Sequence, residues 1–363
     1  MSLTARSFLP NVAAIELTFA CNHACRFCSC PWYADMIKEK TEMGVNEWKE
    51  CLKALAEAGV TTFSFTGGEM LLKKGWEEIV RFASNLTVYR MELDEQTNEL
   101  SFREGKPELV MLSNGKIMSD EVLYFCKELG IHLSMSLPGF STFEQHTCGG
   151  TTAQHLLNWY KRANELGVPV TAAITATSEN FFELSETVTQ ALNAGADNIL
   201  INRFLPGGRG LQHRNLELSS EQIAAVPIIV DQILTKAGKN GHVGTEYPYC
   251  LAAPALEHGL NRLKLSTNCG AATGFFAVSP AGMLRTCNHS PIEIVHWRDW
   301  EQAINHPHWR SYIFGNNLPE ECTNCPHTSS CDGGCREAAY ICTGKINGED
   351  PGTITLETIF EID

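Results

Sequence analysis

Between residues 13 and 204, short β-like runs alternate with longer stretches of helical periodicity, and this alternation constrains the fold more than any other feature. Ala13–Phe19, Thr61–Thr66, Glu108–Ser113, His132–Ser136, Val170–Thr175 and Asn198–Phe204 are expected as strands. Helices are expected over Asn46–Ala58 and Leu72–Ser84, and at about 119–129, 152–166 and 181–194. Strands spaced by helices imply parallel pairing with right-handed crossovers. Six such units give an α/β fold, a partial (β/α)6 TIM-like barrel with its active site at the C-terminal strand ends. Leu86–Arg103 interrupts the pattern, with β-like segments around Asp94-Glu95-Gln96-Thr97-Asn98. It reads as an inserted hairpin, either a surface ornament or an exposed edge that pairs with a peptide or partner.

Beyond about residue 240, Gly, Pro and Cys become frequent and helices shorten. Residues 1–240 are therefore expected to form the barrel, and residues 241–363 a cysteine-rich appendage. A formal charge of −14 speaks against a nucleic-acid partner, which needs a basic face to neutralise phosphates. No apolar run is long enough to span a bilayer and no signal peptide opens the sequence, so a cytoplasmic location without membrane attachment is expected. In that compartment fifteen cysteines point to metal ligation or redox chemistry rather than to disulfides.

The first cysteine group is Cys21-Asn22-His23-Ala24-Cys25-Arg26-Phe27-Cys28, directly after the first expected strand. Three thiolates on so short a loop suit three irons of a cubane cluster and leave its fourth iron free to chelate a ligand. Zinc is the alternative; it wants a fourth protein ligand, for which His23 is awkwardly placed inside the loop.

The CxxxCxxC spacing, the aromatic before its last cysteine and the preceding strand resemble radical S-adenosylmethionine (SAM) enzymes. The resemblance implies that Cys21, Cys25 and Cys28 hold a 4Fe–4S cluster whose unique iron binds SAM. It implies that an electron passed into the sulfonium yields a 5′-deoxyadenosyl radical, which takes a hydrogen atom from substrate. It also implies that Phe27 meets the adenine through its backbone. Thr66-Gly67-Gly68-Glu69 ends the second strand about forty residues beyond the triad. Alone such a string is often just a turn; in this place it resembles the family's GGE motif, which makes Gly67, Gly68 and Glu69 receptors of the methionine ammonium. Ser113-Asn114-Gly115 resembles a strand-ending SNG. Ser134-Met135-Ser136-Leu137-Pro138-Gly139 resembles a strand reading S-x-D-G, which brings Ser136 to the ribose or carboxylate, although Pro138 stands where an acidic residue is common. The run from Asn202 to Arg209 resembles the sixth-strand exit near adenine. There Arg203 is either a cofactor-binding residue or half of a surface ion pair.

The second group comprises Cys269, Gly282-x4-Cys287, Cys322-x2-Cys325-x5-Cys331-x3-Cys335 and Cys342. Phe275–Thr286 reads as a hairpin turning at Ser279-Pro280-Ala281-Gly282. Zinc knuckles are again the alternative. The seven-cysteine pattern resembles the SPASM domain, which implies two auxiliary 4Fe–4S clusters. By that likeness Cys322, Cys325, Cys331 and Cys342 hold the outer one. Cys269, Cys287 and Cys335 hold the inner one, with Cys250 as candidate fourth ligand or that position open to substrate.

Of the remaining candidates, Cys51 and Cys126 lie on helical patterns and are expected in the core, and Cys30 near the cluster. Cys148 is a candidate hydrogen-atom donor to a product radical, or an inert small hydrophobe. His146 reads as a loop residue rather than a base. Trp32, Tyr33 and Trp48 line a substrate path or pack in the core; Glu246, Tyr247 and Tyr249 are placed to face the cavity.

SPASM relatives mostly act on peptides or proteins, so the expected function is maturation of a ribosomally made precursor peptide by crosslinking or backbone excision. With the triad starting at residue 21, no room is expected for the N-terminal leader-binding domain of many such enzymes. A separate small leader-recognition protein and a flavodoxin- or ferredoxin-type reductant are therefore expected as partners. Cys28-Ser29-Cys30-Pro31-Trp32 resembles maturases of Nif11-type leader peptides, including spliceases that excise a tyrosine-derived tyramine unit. The alternative enzyme readings are dehydrogenation of a small alcohol and sulfatase-type oxidation of serine or cysteine. The non-enzymatic alternative is a zinc-stapled scaffold.

Overall fold

The computed structural model describes residues 8–34, 36–37, 41–94, 99–315 and 317–353. Strand β1 (Val12–Glu16) is followed by α1 (Val45–Glu57), β2 (Thr62–Thr66) and α2 (Trp76–Asn85). A hairpin of β3 (Val88–Asp94) and β4 (Glu99–Gly105) comes next, then β5 (Glu108–Ser113), α3 (Asp120–Leu129) and β6 (His132–Ser136). The short α4 (Phe143–Thr147), α5 (Ala153–Leu166), β7 (Val170–Ala176), α6 (Leu184–Asn193) and β8 (Asn198–Arg203) complete the expected units. Beyond them lie α7 (Ser220–Ala237), β9 (Asn240–Val243), α8 (Tyr249–His258), β10 (Leu263–Lys264), β11 (Phe275–Val278), β12 (Leu284–Arg285), α9 (Pro307–Ile313) and α10 (Arg336–Thr343).

Ten strands form one sheet in the order β10-β9-β8-β7-β6-β5-β2-β1-β11-β12. Every pairing in it is parallel except β11 with β12. The six expected strands are consecutive neighbours, as right-handed crossovers require. The sheet is wider than six units, because β9 and β10 extend one side and the β11–β12 hairpin adds to β1 on the other. Thus β9 runs across residue 240, and the cysteine-rich segment shares the barrel's sheet. The inserted hairpin pairs Val88 with Gly105 through Asp94 with Glu99 as a sheet of its own; residues 95–98 of its expected turn lie outside the described residues.

Strand alternation sets the two sides of the sheet. Phe63 and Phe65 of β2 are fully buried in a core that α1 and α2 supply with Leu52, Leu55, Ile79 and Val80. Each such burial is worth about 1.5–3 kcal/mol. The intervening Ser64 and Thr66 line a cavity instead. Helix ends follow local chemistry: Ser119 accepts from the Val122 N–H to open α3, and Gly130 closes it in the left-handed region. Helix α7, 18 residues long, was not expected, because Pro227 and apolar residues on several faces blur its period. Its Ser219/Gln222 capping box is the local signal that marks its start.

Two buried ion pairs fasten the cysteine-rich segment to the barrel's strand ends. Glu16, the last residue of β1, pairs with Arg285 of β12 and accepts from Asn288 Nδ2 at 2.9 Å. Arg203, the last residue of β8, donates to both Asp350 oxygens at 2.8 and 2.6 Å.

Candidate active site

A cavity of about 700 Å³ opens at the C-terminal ends of the parallel strands. That volume lies within the roughly 300–1,000 Å³ range of small-molecule sites. Ala14, Ser64, Thr66, Ser136, Thr175 and Asn202, small or polar residues from five strands, form part of its wall.

Cys21, Cys25 and Cys28 line this cavity together. Their loop is pinned from outside: Ala24 N–H donates to Thr147 O at 3.0 Å, Arg26 N–H to His146 O at 2.9 Å, and the Arg26 guanidinium to Glu179 at 2.7 and 3.0 Å. It is also pinned from the exit of β2, where Gly68 and Glu69 N–H groups donate to Thr18 O and Ala20 O at 2.8 Å. This approach demands glycine. Gly67 has φ +141°, and a Cβ there would stand 2.8 Å from Thr18 O; a Cβ on Gly68 would drive into the Ala20 carbonyl.

Glu69 then ties two strand exits together. Its carboxylate accepts from Leu71 N–H at 3.2 Å, Ser113 Oγ at 3.0 Å and Asn114 N–H at 2.7 Å. Burial still holds its carboxyl above the ordinary range against those donors. Asn114 also directs Nδ2 toward Cys21 Sγ at 3.7 Å.

The donor set fits a cubane with one iron left open. The zinc alternative needs His23 as fourth ligand; its ring packs on Gly149 with Nε2 3.2 Å from Thr151 Oγ1, and Nδ1 is covered without a partner, yet among the described residues it does not converge with the thiols on a single-ion position. Burial and the nearby Lys116 lower its pKa to about 4, so the ring is neutral near pH 7. Cys28 is drawn below the usual thiol range by its hydrogen bond with Cys30 and by Arg209, while burial raises Cys25. Arg209, whose guanidinium lies 3.5 Å from the Tyr33 ring centroid, is a cavity-lining cation that its motif contained and sequence reading did not single out.

Phe27, Gly67, Gly68, Glu69, Ser136 and Arg203 all line the same cavity as the triad. Arg203 departs from the surface ion pair expected for it. Its ion pair with Asp350 is buried rather than at the surface, and its other donors go to the Glu246 carbonyl at 3.0 and 3.2 Å. That leaves the guanidinium committed to protein acceptors. Cys148 is exposed at the C-terminus of α4, its thiol 3.4 Å from Gln145 O, and it is not among the residues that line the cavity. The left-handed turn at Cys148 (φ 45°) carries the side chain outward. His146 is buried between Thr142 O at 3.0 Å and Thr177 Oγ1 at 2.9 Å, as a structural histidine. Cys51, Cys126, Trp32 and Trp48 are core residues, and Cys30 lines the cavity beside Cys28.

Cys269, Cys287 and Cys335 open onto the same cavity, with Glu246 and Glu337. The β11–β12 hairpin brings the first two together, with Ala272 N–H donating to Thr286 O at 3.0 Å across its base, and Asp350 fixes the third by accepting from its N–H at 2.6 Å. A second group forms around Cys322 and Cys325, successive in one turn, and Cys331, which accepts from Tyr249 N–H at 3.2 Å. Cys250 stands with this outer group, its charge neighbours being Cys331 and Cys322, rather than with the inner trio. Stacking of Tyr249 on His327 at 3.6 Å holds it there. Cys342, on α10, neighbours Arg214 and Glu217 instead of the other thiols. Among the described residues, no three His, Cys, Asp or Glu side chains converge around a single-ion position.

Comparison with known proteins agrees with this geometry. Residues 15–191 match the radical SAM superfamily. The chain is 24% identical to the PqqA peptide cyclase of Bradyrhizobium diazoefficiens, over 99% of this chain and 90% of that protein. It is 29% identical to the sporulation killing factor maturation protein SkfB of Bacillus subtilis, over 61% of this chain and 50% of that one. Among solved structures it resembles SuiB of Streptococcus suis bound to its precursor peptide SuiA, with a TM-score of 0.70, 14% identity, and coverage of 94% and 75% of the two chains. It also resembles anSMEcpe with bound AdoMet, with a TM-score of 0.68, 16% identity, and coverage of 97% and 96%.

Proposed function

Residues 15–191 of this chain are a radical SAM domain, a family that uses SAM and a 4Fe–4S cluster, and from that premise we propose that the protein matures a ribosomally made precursor peptide. The observation that carries the reading is the shared cavity, lined by Cys21, Cys25 and Cys28 together with Cys269, Cys287 and Cys335. The names of the relatives support it, since they are a peptide cyclase and a maturation protein.

When bound, the cluster and SAM supply an electron and a 5′-deoxyadenosyl radical that abstracts hydrogen from the substrate. The chain's own part is placement. Cys21, Cys25 and Cys28 are proposed to hold the cluster, and Gly67, Gly68 and Glu69 to receive the methionine end of SAM. Phe27 and Ser136 are proposed to face its adenosine. Arg209 offsets the negative charge that three thiolates bring to the loop.

Residues 241–363 are proposed as an auxiliary-cluster domain. Cys269, Cys287 and Cys335 serve an inner cluster that faces the substrate. Cys322, Cys325 and Cys331 serve an outer one, with Cys250 beside them as fourth ligand. Fifteen thiols suit a reducing cytoplasm. A flavodoxin- or ferredoxin-type reductant and a small leader-recognition protein complete the proposed system. Its product is a crosslink or an excised backbone unit.

The test is to incubate the anaerobically reconstituted, reduced protein with SAM and a candidate precursor peptide. The proposal expects 5′-deoxyadenosine to form together with a mass change in the peptide core. 5′-Deoxyadenosine formed with every peptide left intact, while a small alcohol is oxidised, would move the substrate class away from peptides.

A further inference from the structure

The inner trio supplies three thiolates, one fewer than an all-cysteine 4Fe–4S site takes. No fourth cysteine accompanies it, since Cys250 stands with the outer group. A carboxylate does. Glu246, in the segment between β9 and α8, lines the cavity with Cys269, Cys287 and Cys335. It is the leading charged neighbour of both Cys269 and Cys335 and also acts on Cys287.

The setting of Glu246 is built rather than incidental. Its carbonyl accepts from Arg203 Nη2 at 3.0 Å and Nε at 3.2 Å, and Asp350 in turn joins Arg203 to the Cys335 N–H. One chain of contacts therefore fixes both the carboxylate's backbone and one of the trio. Yet Glu246 Oε1 is covered from solvent and has no hydrogen-bond partner. Leaving a buried acceptor unsatisfied is costly, and such an atom calls for a ligand. The other carboxylate on this wall, Glu337, is the leading charged neighbour of Cys287 instead. Its Oε2 is likewise covered and without a partner, but its Oε1 is held by Thr286 Oγ1 at 2.6 Å, His308 Nε2 at 2.7 Å and Tyr312 Oη at 2.8 Å, which anchors that carboxylate away from Cys269 and Cys335.

We propose that Glu246 binds the fourth iron of the inner auxiliary cluster through Oε1. The inference rests on the auxiliary-cluster reading above and sharpens it. A carboxylate carries the same charge as a thiolate but is a harder donor, less suited to this iron. The iron it holds is accordingly the one that a substrate donor displaces most readily.

The experiment uses the full chain with the triad replaced (Cys21→Ala, Cys25→Ala, Cys28→Ala), reconstituted with enriched iron and sulfide and read by iron content and Mössbauer spectra. This parent is expected to hold about 8 iron and to show one iron with a non-thiolate ligand. Glu246→Ala is expected to lose about one iron and to give a 3Fe–4S signal on oxidation. Glu246→Cys should keep every iron and abolish the non-thiolate signature. Glu337→Gln should leave the signature in place. Spectra unchanged in both Glu246 variants, or a signature lost with Glu337→Gln, would overturn the proposal while leaving the auxiliary clusters standing. A parent that takes up no iron would overturn both.

Discussion

Asp350→Asn is expected to destabilise the whole protein and to loosen the inner cysteine trio together. The wild-type carboxylate is buried, accepts from Arg203 at 2.8 and 2.6 Å, and also accepts from Cys335 N–H at 2.6 Å and Gly352 N–H at 2.8 Å. Burial alone would raise its pKa; Arg203 and the backbone donors outweigh that and hold it below the usual carboxylate range. Removing one partner of a buried pair costs about 3–5 kcal/mol, because the other charge stays behind. An unfolding entropy of about 2.1 cal/mol/K per residue gives about 0.76 kcal/mol/K over 363 residues. The melting temperature should therefore fall by about 4–7 °C. Thermal melts and iron content after reconstitution check this. The double variant Arg203→Met/Asp350→Leu removes both charges, so it should cost less than either single change. It also decides the role of Arg203. If the guanidinium serves the ion pair, the double variant binds SAM as the wild type does. A stable double variant that no longer binds SAM would refute the reasoning and return Arg203 to the cofactor.

Gly68→Ala should abolish SAM binding, measured by calorimetry on the reconstituted protein, because the added Cβ collides with the Ala20 carbonyl and pushes the β2 exit off the triad loop. Cys148→Ser should leave peptide modification within about twofold of wild type, since the exposed thiol is outside the cavity wall; a product stalled at the radical stage would restore it as a donor. Asp231→Ala should cost on the order of 2–4 kcal/mol in denaturant unfolding, because Asp231 Oδ1 accepts three N–H groups, from Asn261, Arg262 and Leu263 at 2.9, 2.7 and 2.8 Å. Burial would raise this carboxyl, but those donors lower it. Its contribution is then complete above the unfolded pKa of about 3.9 and is lost as pH falls through the lower folded value, so the gap between variant and wild type should narrow only below about pH 4.

The barrel strands were legible because each is a short run with apolar residues at successive or alternate positions, and Glu108–Ser113 and His132–Ser136 match their strands residue for residue. Strands β9 and β10 were not legible: four and two residues leave no period to read, and pairing of β9 with β8 and of β10 with β9 makes them strands. The same division holds in the site. Cys21, Cys25, Cys28, Gly67 and Gly68 sit within one loop or one turn, where spacing fixes proximity. Sequence spacing cannot show that Glu246 meets Cys335 or that Asp350 meets Arg203, because each contact joins segments about 90 or more residues apart that only the tertiary fold brings together. Cys342 shows the converse: it satisfied a linear pattern, and its charged neighbours are Arg214 and Glu217.

The central claim is that one cavity holds a radical-generating triad together with a cysteine-rich wall. Iron content and SAM cleavage, measured on the reduced full chain with and without Cys21→Ala, Cys25→Ala and Cys28→Ala, test it most directly. The account predicts about 12 iron and formation of 5′-deoxyadenosine in the wild type, against about 8 iron and none of the product in the variant. A colourless wild-type protein holding stoichiometric zinc, or undiminished SAM cleavage without the triad, would contradict it.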